Sequence, residues 1–155
     1  MNDSLPRLTP RLFVRDPARA IAFYRDALGA EVVERFEDPA IGKVVHAALR
    51  VGPVLFSLAQ EHEEYRSLSP ETIGDSPVLL QIEVEDADAT GDAMVRHGAE
   101  VVIPIDDRFY GKREGRLRDP AGHLWIVSQT IEKLSDEEIR RRIASFHDQS
   151  GKTAT

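Results

Sequence analysis

The side chains of this chain best suited to moving a proton are Glu83 and His46. Glu83 closes an apolar run two residues beyond Gln81, and Arg11 lies in an earlier run. A carboxylate with an amide and a guanidinium to orient it can take up and return a proton; the plainer use of the same residues is an ion pair at a cavity rim. His46 stands between Val45 and Ala47, so it faces either core or cavity. Among the other histidines, His97 precedes Gly98, where a cation suits a helix C-terminus. His123 follows a turn glycine, and His62 and His147 lie in polar segments. Tyr110, Arg113 and Trp125 can stack on or hydrogen-bond an organic ligand, although Trp125 shares the strand parity of Val127, which points to the core. Nucleophilic chemistry has no support. Cysteine is absent, and no Ser-His-Asp spacing, nucleophile elbow or phosphate-cradling glycine loop occurs.

These residues are positioned by a chain that repeats itself. Gly29-Ala30-Glu31-Val32-Val33 recurs as Gly98-Ala99-Glu100-Val101-Val102. Val14-Arg15-Asp16 precedes the first copy and Val84-Glu85-Asp86 the second, while Gly52 before Val54-Leu55 maps onto Gly122 before Leu124-Trp125. Three matches in order, sharing one offset to within a residue, argue for two related modules. In each, a strand leads to a helix opened by an aspartate N-cap and closed by glycine, and three strands follow. The first module reads as strand 8–14, a helix from Asp16 to Gly29 with Pro17 in its first turn, and strands 32–36, 43–51 and 54–59. The second reads as strand 78–84, a helix from Asp86 or Asp88 to His97, and strands 101–105, 114–118 and 124–128. Asp119-Pro120-Ala121-Gly122 fits a type I turn into the last of these. A further helix begins at Ser135, with Ile139, Ile143 and Phe146 on one face. The expected units are a loose terminus at 1–6, modules at 7–60 and 78–130, a linker at 61–77, a helix at 131–147 and a disordered tail at 148–155.

Composition narrows the function classes. A formal net charge of −7 over 155 residues disfavours nucleic acid, because little would neutralise phosphates along a groove. No apolar run reaches the ~18 residues of a membrane span, and the N-terminus lacks a signal-peptide core. With no cysteine to oxidise, a cytoplasmic protein is expected. Strand alternation then separates dry faces from working ones. Leu80, Ile82 and Val84 form an apolar set, and Leu79, Gln81 and Glu83 a mixed one. Thr9, Arg11 and Phe13 form the matching mixed set in the first module. A face neither wholly polar nor wholly apolar suits a partly wet cavity.

Val14-Arg15-Asp16-Pro17, Phe23-Tyr24, Leu28-Gly29-Ala30 and Asp119-Pro120-Ala121-Gly122-His123 together resemble the vicinal oxygen chelate superfamily of glyoxalase I, extradiol dioxygenases and bleomycin-resistance proteins. The run Arg108 to Gly115, Val45-His46-Ala47 and the acidic start of the last helix look like its PhnB-like branch. The resemblance spans roughly residues 7 to 147. It implies an α+β fold: two βαβββ modules form a curved mixed sheet around a pocket, with a C-terminal helix, often as a homodimer. The superfamily's metal enzymes draw ligands from the first and last strand of each module. Those places are here Thr9, Leu79, Phe56 (or Ser57 after a one-residue slip) and Ile126. None offers a His, Glu or Gln donor, and Gln81, two residues away, cannot hold an ion alone. The expectation is therefore no metal and no cofactor. Thr9, Arg11, Phe13, His46, Phe56, Leu79, Gln81, Tyr110, Arg113 and Ile126 would line a pocket for a small aromatic or amphipathic molecule, in a protein that leans away from being an enzyme. The alternative is a metal-dependent or metal-free lyase, isomerase or dioxygenase using Glu83 or His46, or metal ligands placed elsewhere.

Overall fold

The computed structural model describes residues 6–150. Two βαβββ modules follow one another, as the repeat predicts. The first contains β1 (Arg11–Val14), α1 (Pro17–Leu28), β2 (Glu31–Asp38), β3 (Lys43–Val51) and β4 (Val54–Gln60). A segment with a 3-10 turn (Glu63–Tyr65) and the one-turn helix α2 (Pro70–Ile73) leads to the second. There β5 (Leu79–Glu83), α3 (Ala87–Arg96), β6 (Glu100–Asp107), β7 (Lys112–Arg118) and β8 (Leu124–Thr130) repeat the order, before α4 (Asp136–Ser150). Each module makes one four-stranded mixed sheet, ordered β1-β4-β3-β2 and β5-β8-β7-β6, with the first and last strand of each module parallel. Identical strand order in the two halves is the structural form of the sequence repeat.

The helices begin and end where local chemistry directs. Asp16 caps α1 by accepting from Arg19 N at 3.1 Å, Pro17 occupies the first turn, and Gly29 takes the left-handed conformation at φ 67. Asp86, rather than Asp88, caps α3 by accepting from Ala89 N at 3.0 Å. Gly91 of α3 is explained by packing: a Cβ there would come within 2.5 Å of Ile105 Cδ1. Several boundaries differ from the sequence reading. The first strand starts at Arg11, because Pro10 has no N–H to give the ladder, and Leu8 is 92% exposed. The last helix runs on to Ser150, so residues 148–150 are helical where a disordered tail was expected. Residues 1–5 and 151–155, where the loose terminus and the tail's end were placed, lie outside the described residues.

One core serves both modules. Leu12, Val14, Ile21, Phe23, Tyr24, Leu49, Phe56 and Leu58 of the first cluster with Met94, Leu117, Trp125 and Val127 of the second. At its centre the Asp119 carboxylate is 3% exposed and uses both oxygens twice. Oδ1 accepts from Ala121 N at 2.9 Å and His123 N at 3.0 Å. Oδ2 accepts from Tyr24 Oη at 2.5 Å and Trp125 Nε1 at 2.9 Å. Burial first, and the Asp119 charge second, push the Tyr24 hydroxyl well above its ordinary range, so it remains a donor. Tyr24 also packs edge-on against Phe56 and tilted against Trp125. His123, expected as a turn or edge residue, makes a second cross-module link, from Nε2 to Phe13 O at 2.9 Å. The turn thus ties the halves together.

Candidate ligand-binding faces

Parity sets what each sheet presents. The residues between those in the core, on β1, β3 and β4, point away from it. Arg11 pairs in register with Ser57, Ser57 with Ala48, and Phe36 with His46, which puts Arg11, Phe13, Glu34, Phe36, His46 and Ser57 on one face. Arg11 Nη1 lies 2.9 Å from His46 Nδ1 and donates to Ser57 Oγ at 3.3 Å, with its guanidinium 5.8 Å from the centre of the Phe13 ring. A guanidinium has only donors, so Nδ1 accepts and the proton sits on Nε2, which faces Glu34 Oε2 at 3.3 Å. Phe36 stacks on the imidazole at 5.8 Å. Neither ring nitrogen of His46 is left open.

The second sheet repeats the arrangement. Gln81 pairs with Ile126, Glu83 and Glu114 with Ser128, Arg116 with Ile126, and Ile103 with Arg116. Glu83 is held by Lys112 Nζ at 3.1 Å to both oxygens and by Thr130 Oγ1 at 2.5 Å. Partial burial opposes its charge, but the Thr130 hydroxyl and Lys112 outweigh that and hold its carboxyl below the usual range. Glu114 accepts from the Tyr110 hydroxyl and from Ser128 Oγ at 2.9 Å. Burial, and then Glu114, raise Tyr110 to about 12. A pocket of about 210 Å³ lies here, lined by Ile103, Arg108, Tyr110, Glu114, Gly115, Arg116 and Ile126.

The residues expected to line one pocket are thus divided. Arg11, Phe13 and His46 gather on the first sheet, while Leu79, Gln81, Glu83, Tyr110 and Ile126 gather on the second. Both faces turn away from the shared core, and no hydrogen bond or ion pair among the described residues joins them. Thr9 is exposed just ahead of β1. Phe56 faces the core and Ser57 the working face. Arg113 lies on the helix side of β7, with the parity of Leu117, and pairs with Asp88 at 2.6 Å and Asp107 at 2.8 Å. Its place on the working face is taken by Glu114 and Arg116, which the sequence reading missed. The parity of Leu117 was the signal that could have found them. A separate cleft of about 520 Å³ between the Gly52-Pro53 turn and β5 brings Phe56 near Gln81 and Glu83 beneath largely apolar walls.

The donor set does not suit a divalent metal. Among the described residues no three His, Cys, Asp or Glu side chains converge. The working face of β4 carries Ser57, with the Arg11 guanidinium on it. A fixed cation there opposes a second one.

Residues 5–127 match the Glyoxalase/Bleomycin resistance protein/Dioxygenase superfamily. The chain belongs to that superfamily. It is 34% identical over 146 residues to the uncharacterized protein Rv0887c of Mycobacterium tuberculosis H37Rv, covering 92% of this chain and 85% of that one. Among solved structures it resembles a protein of unknown function from Agrobacterium tumefaciens C58, at 27% identity and a TM-score of 0.64, over 83% of this chain and 96% of that one. It also resembles TioX from Micromonospora sp. ML1, at 25% identity and a TM-score of 0.61, over 84% of this chain and all (100%) of that one. Superfamily membership fixes the scaffold and leaves the chemistry to the site. No helix among the described residues is long and apolar enough to cross a membrane.

Proposed function

We propose that this superfamily member is a cytoplasmic, metal-independent binding protein that sequesters a small aromatic or amphipathic molecule as a homodimer. One observation carries the reading: Arg11 occupies Ser57 and His46, so the first working face presents a fixed guanidinium, which favours an organic ligand over a metal ion there. Proton-transfer chemistry gains little support. His46 is engaged at both nitrogens, and Glu83 is locked by Lys112 and Thr130 with its basicity reduced. The dimer is supported by surface character. β2 and β6 lie at sheet edges, with Val32, Val33, Phe36, Val101, Val102 and Ile103 exposed, Phe36 by 58%. A second copy would enclose faces that one chain leaves open.

A thermal-shift screen of chelator-treated protein against aromatic and amphipathic compounds tests this, with light scattering to give the mass. Saturable stabilisation is expected, about 2.7 kcal/mol at a hundredfold excess over Kd, unchanged by chelator, at twice the 17.3 kDa chain mass. Turnover of a methylglyoxal–glutathione hemithioacetal that chelator abolishes would instead establish the metal-enzyme alternative.

A further inference from the structure

We propose that the pocket between β6, β7 and the 108–111 loop binds the carboxylate of an amphipathic organic acid, with Arg116 as its anchor. This deepens the ligand-binding reading above and rests on it. Three arginines alternate with other residues along and beside this strand, and two are committed. Arg113 pairs with Asp88 and Asp107, and Arg118 bonds Gly122 O at 3.2 Å and Asp75 at 3.4 Å. The Arg116 side chain between them makes no hydrogen bond or ion pair to any described residue, and its Nε is shielded from solvent without a partner. Leaving a shielded donor unmade is costly, the more so on a charged group. An acceptor entering the pocket therefore meets the guanidinium without displacing any protein group.

The surroundings select the acceptor's chemistry. Two guanidiniums, Arg108 and Arg116, line the pocket against one carboxylate, Glu114, in a chain of net charge −7. Glu114 already has both oxygens engaged, by the Tyr110 and Ser128 hydroxyls. Arg108 is held in place by donating to the backbone at Pro104 O (2.9 Å) and Glu114 O (3.1 Å), with no carboxylate on it. The local balance favours an anion. A planar carboxylate matches a guanidinium's paired donors, and Ile103 and Ile126 give an apolar tail something to lie on. At about 210 Å³ the pocket takes the head group and the start of the tail. Its wall is braced from outside by α4. Phe146 stacks on Phe109 at 5.1 Å, and Arg142 Nη1 donates to Phe109 O at 2.9 Å. The C-terminal helix thereby holds the loop that carries Arg108 and Tyr110.

Calorimetric titration of the chelator-treated full chain with 4-phenylbutyrate and with its neutral amide tests the proposal. The acid is expected to bind at least about tenfold more tightly than the amide. In Arg116→Met that preference disappears and the amide affinity stays within about twofold. The variant's Tm holds or rises, because an unpaired guanidinium gives way to an apolar side chain. Equal binding of acid and amide, or a preference that survives the substitution, overturns the anchor while leaving the ligand-binding reading intact. A fall of several degrees in Tm makes Arg116 a structural residue and overturns it as well. Inorganic phosphate displacing the acid at equal concentration overturns the acid class. If neither probe binds while the screen finds other ligands, this proposal alone falls; if nothing binds, both fall.

Discussion

Asp119→Ala is expected to cost about 3–5 kcal/mol of stability, and to lower Tm by roughly 10 °C for a chain of this size. The carboxylate serves four donors, and two of them, Tyr24 Oη and Trp125 Nε1, have no water to turn to. Removing it strands a phenol and an indole in the core and releases the turn that leads into β8. Asn is a poor substitute, because both oxygens of Asp119 accept twice and an amide nitrogen at either place would confront donors. Asp119→Asn should therefore recover less than half of the loss. Tyr24→Phe, which removes one partner and leaves the carboxylate three, should cost about 1–3 kcal/mol. Thermal melts of the three variants check the ranking. An Asp119→Ala protein melting within two degrees of the parent would remove Asp119 from the centre of the fold.

Gly115→Ala is the second large effect. A Cβ at Gly115 would stand 2.6 Å from Ile103 O and 2.6 Å from Ile105 N, both backbone atoms of β6. Backbone cannot swing aside as a side-chain tip can, so β6 must shift, at about 2–3 kcal/mol. The register slips between Ile103 and Asp106 at this place, and the glycine lets the irregular strand come close. Because Glu114 and Arg116 flank Gly115, the same change should also weaken ligand binding. Urea unfolding monitored by Trp125 fluorescence gives the first quantity, and titration of the variant the second. A stability change below about 0.5 kcal/mol would show that the two strands are not held as described.

Much of this architecture is visible in the residues. The doubled Gly-Ala-Glu-Val-Val run, the Asp16-Pro17 start and the glycine at 29 predict the modules and α1, because cap and turn chemistry is local. What escaped was long-range. Asp119 reads as a turn residue, and nothing within five positions reveals that Tyr24, far earlier in the chain, will seek its second oxygen. Placing the seventh strand's start at 114, two residues late, hid the alternation of Arg113, Gly115 and Leu117 toward α3. Arg113 is read from the 108–115 run ahead of that strand as a ligand contact, and Arg116 inside the strand is not singled out. Phe56 lies on the core side of β4 and reaches the cleft beside β5, while Ser57 takes the working face, since a single-residue shift in a strand exchanges the two. The sequence also says little about how two faces meet. The structure turns them both outward from one core, a consequence of which helices pack together.

The most direct test of the account is calorimetric titration of chelator-stripped protein with Zn²⁺, Ni²⁺ and Mn²⁺. With a guanidinium on Ser57 and His46, and Glu83 already bound by Lys112, the expected result is no saturable uptake of an ion. One ion taken up per chain at submicromolar Kd, and weakened by His46→Ala or Glu83→Gln, would contradict it.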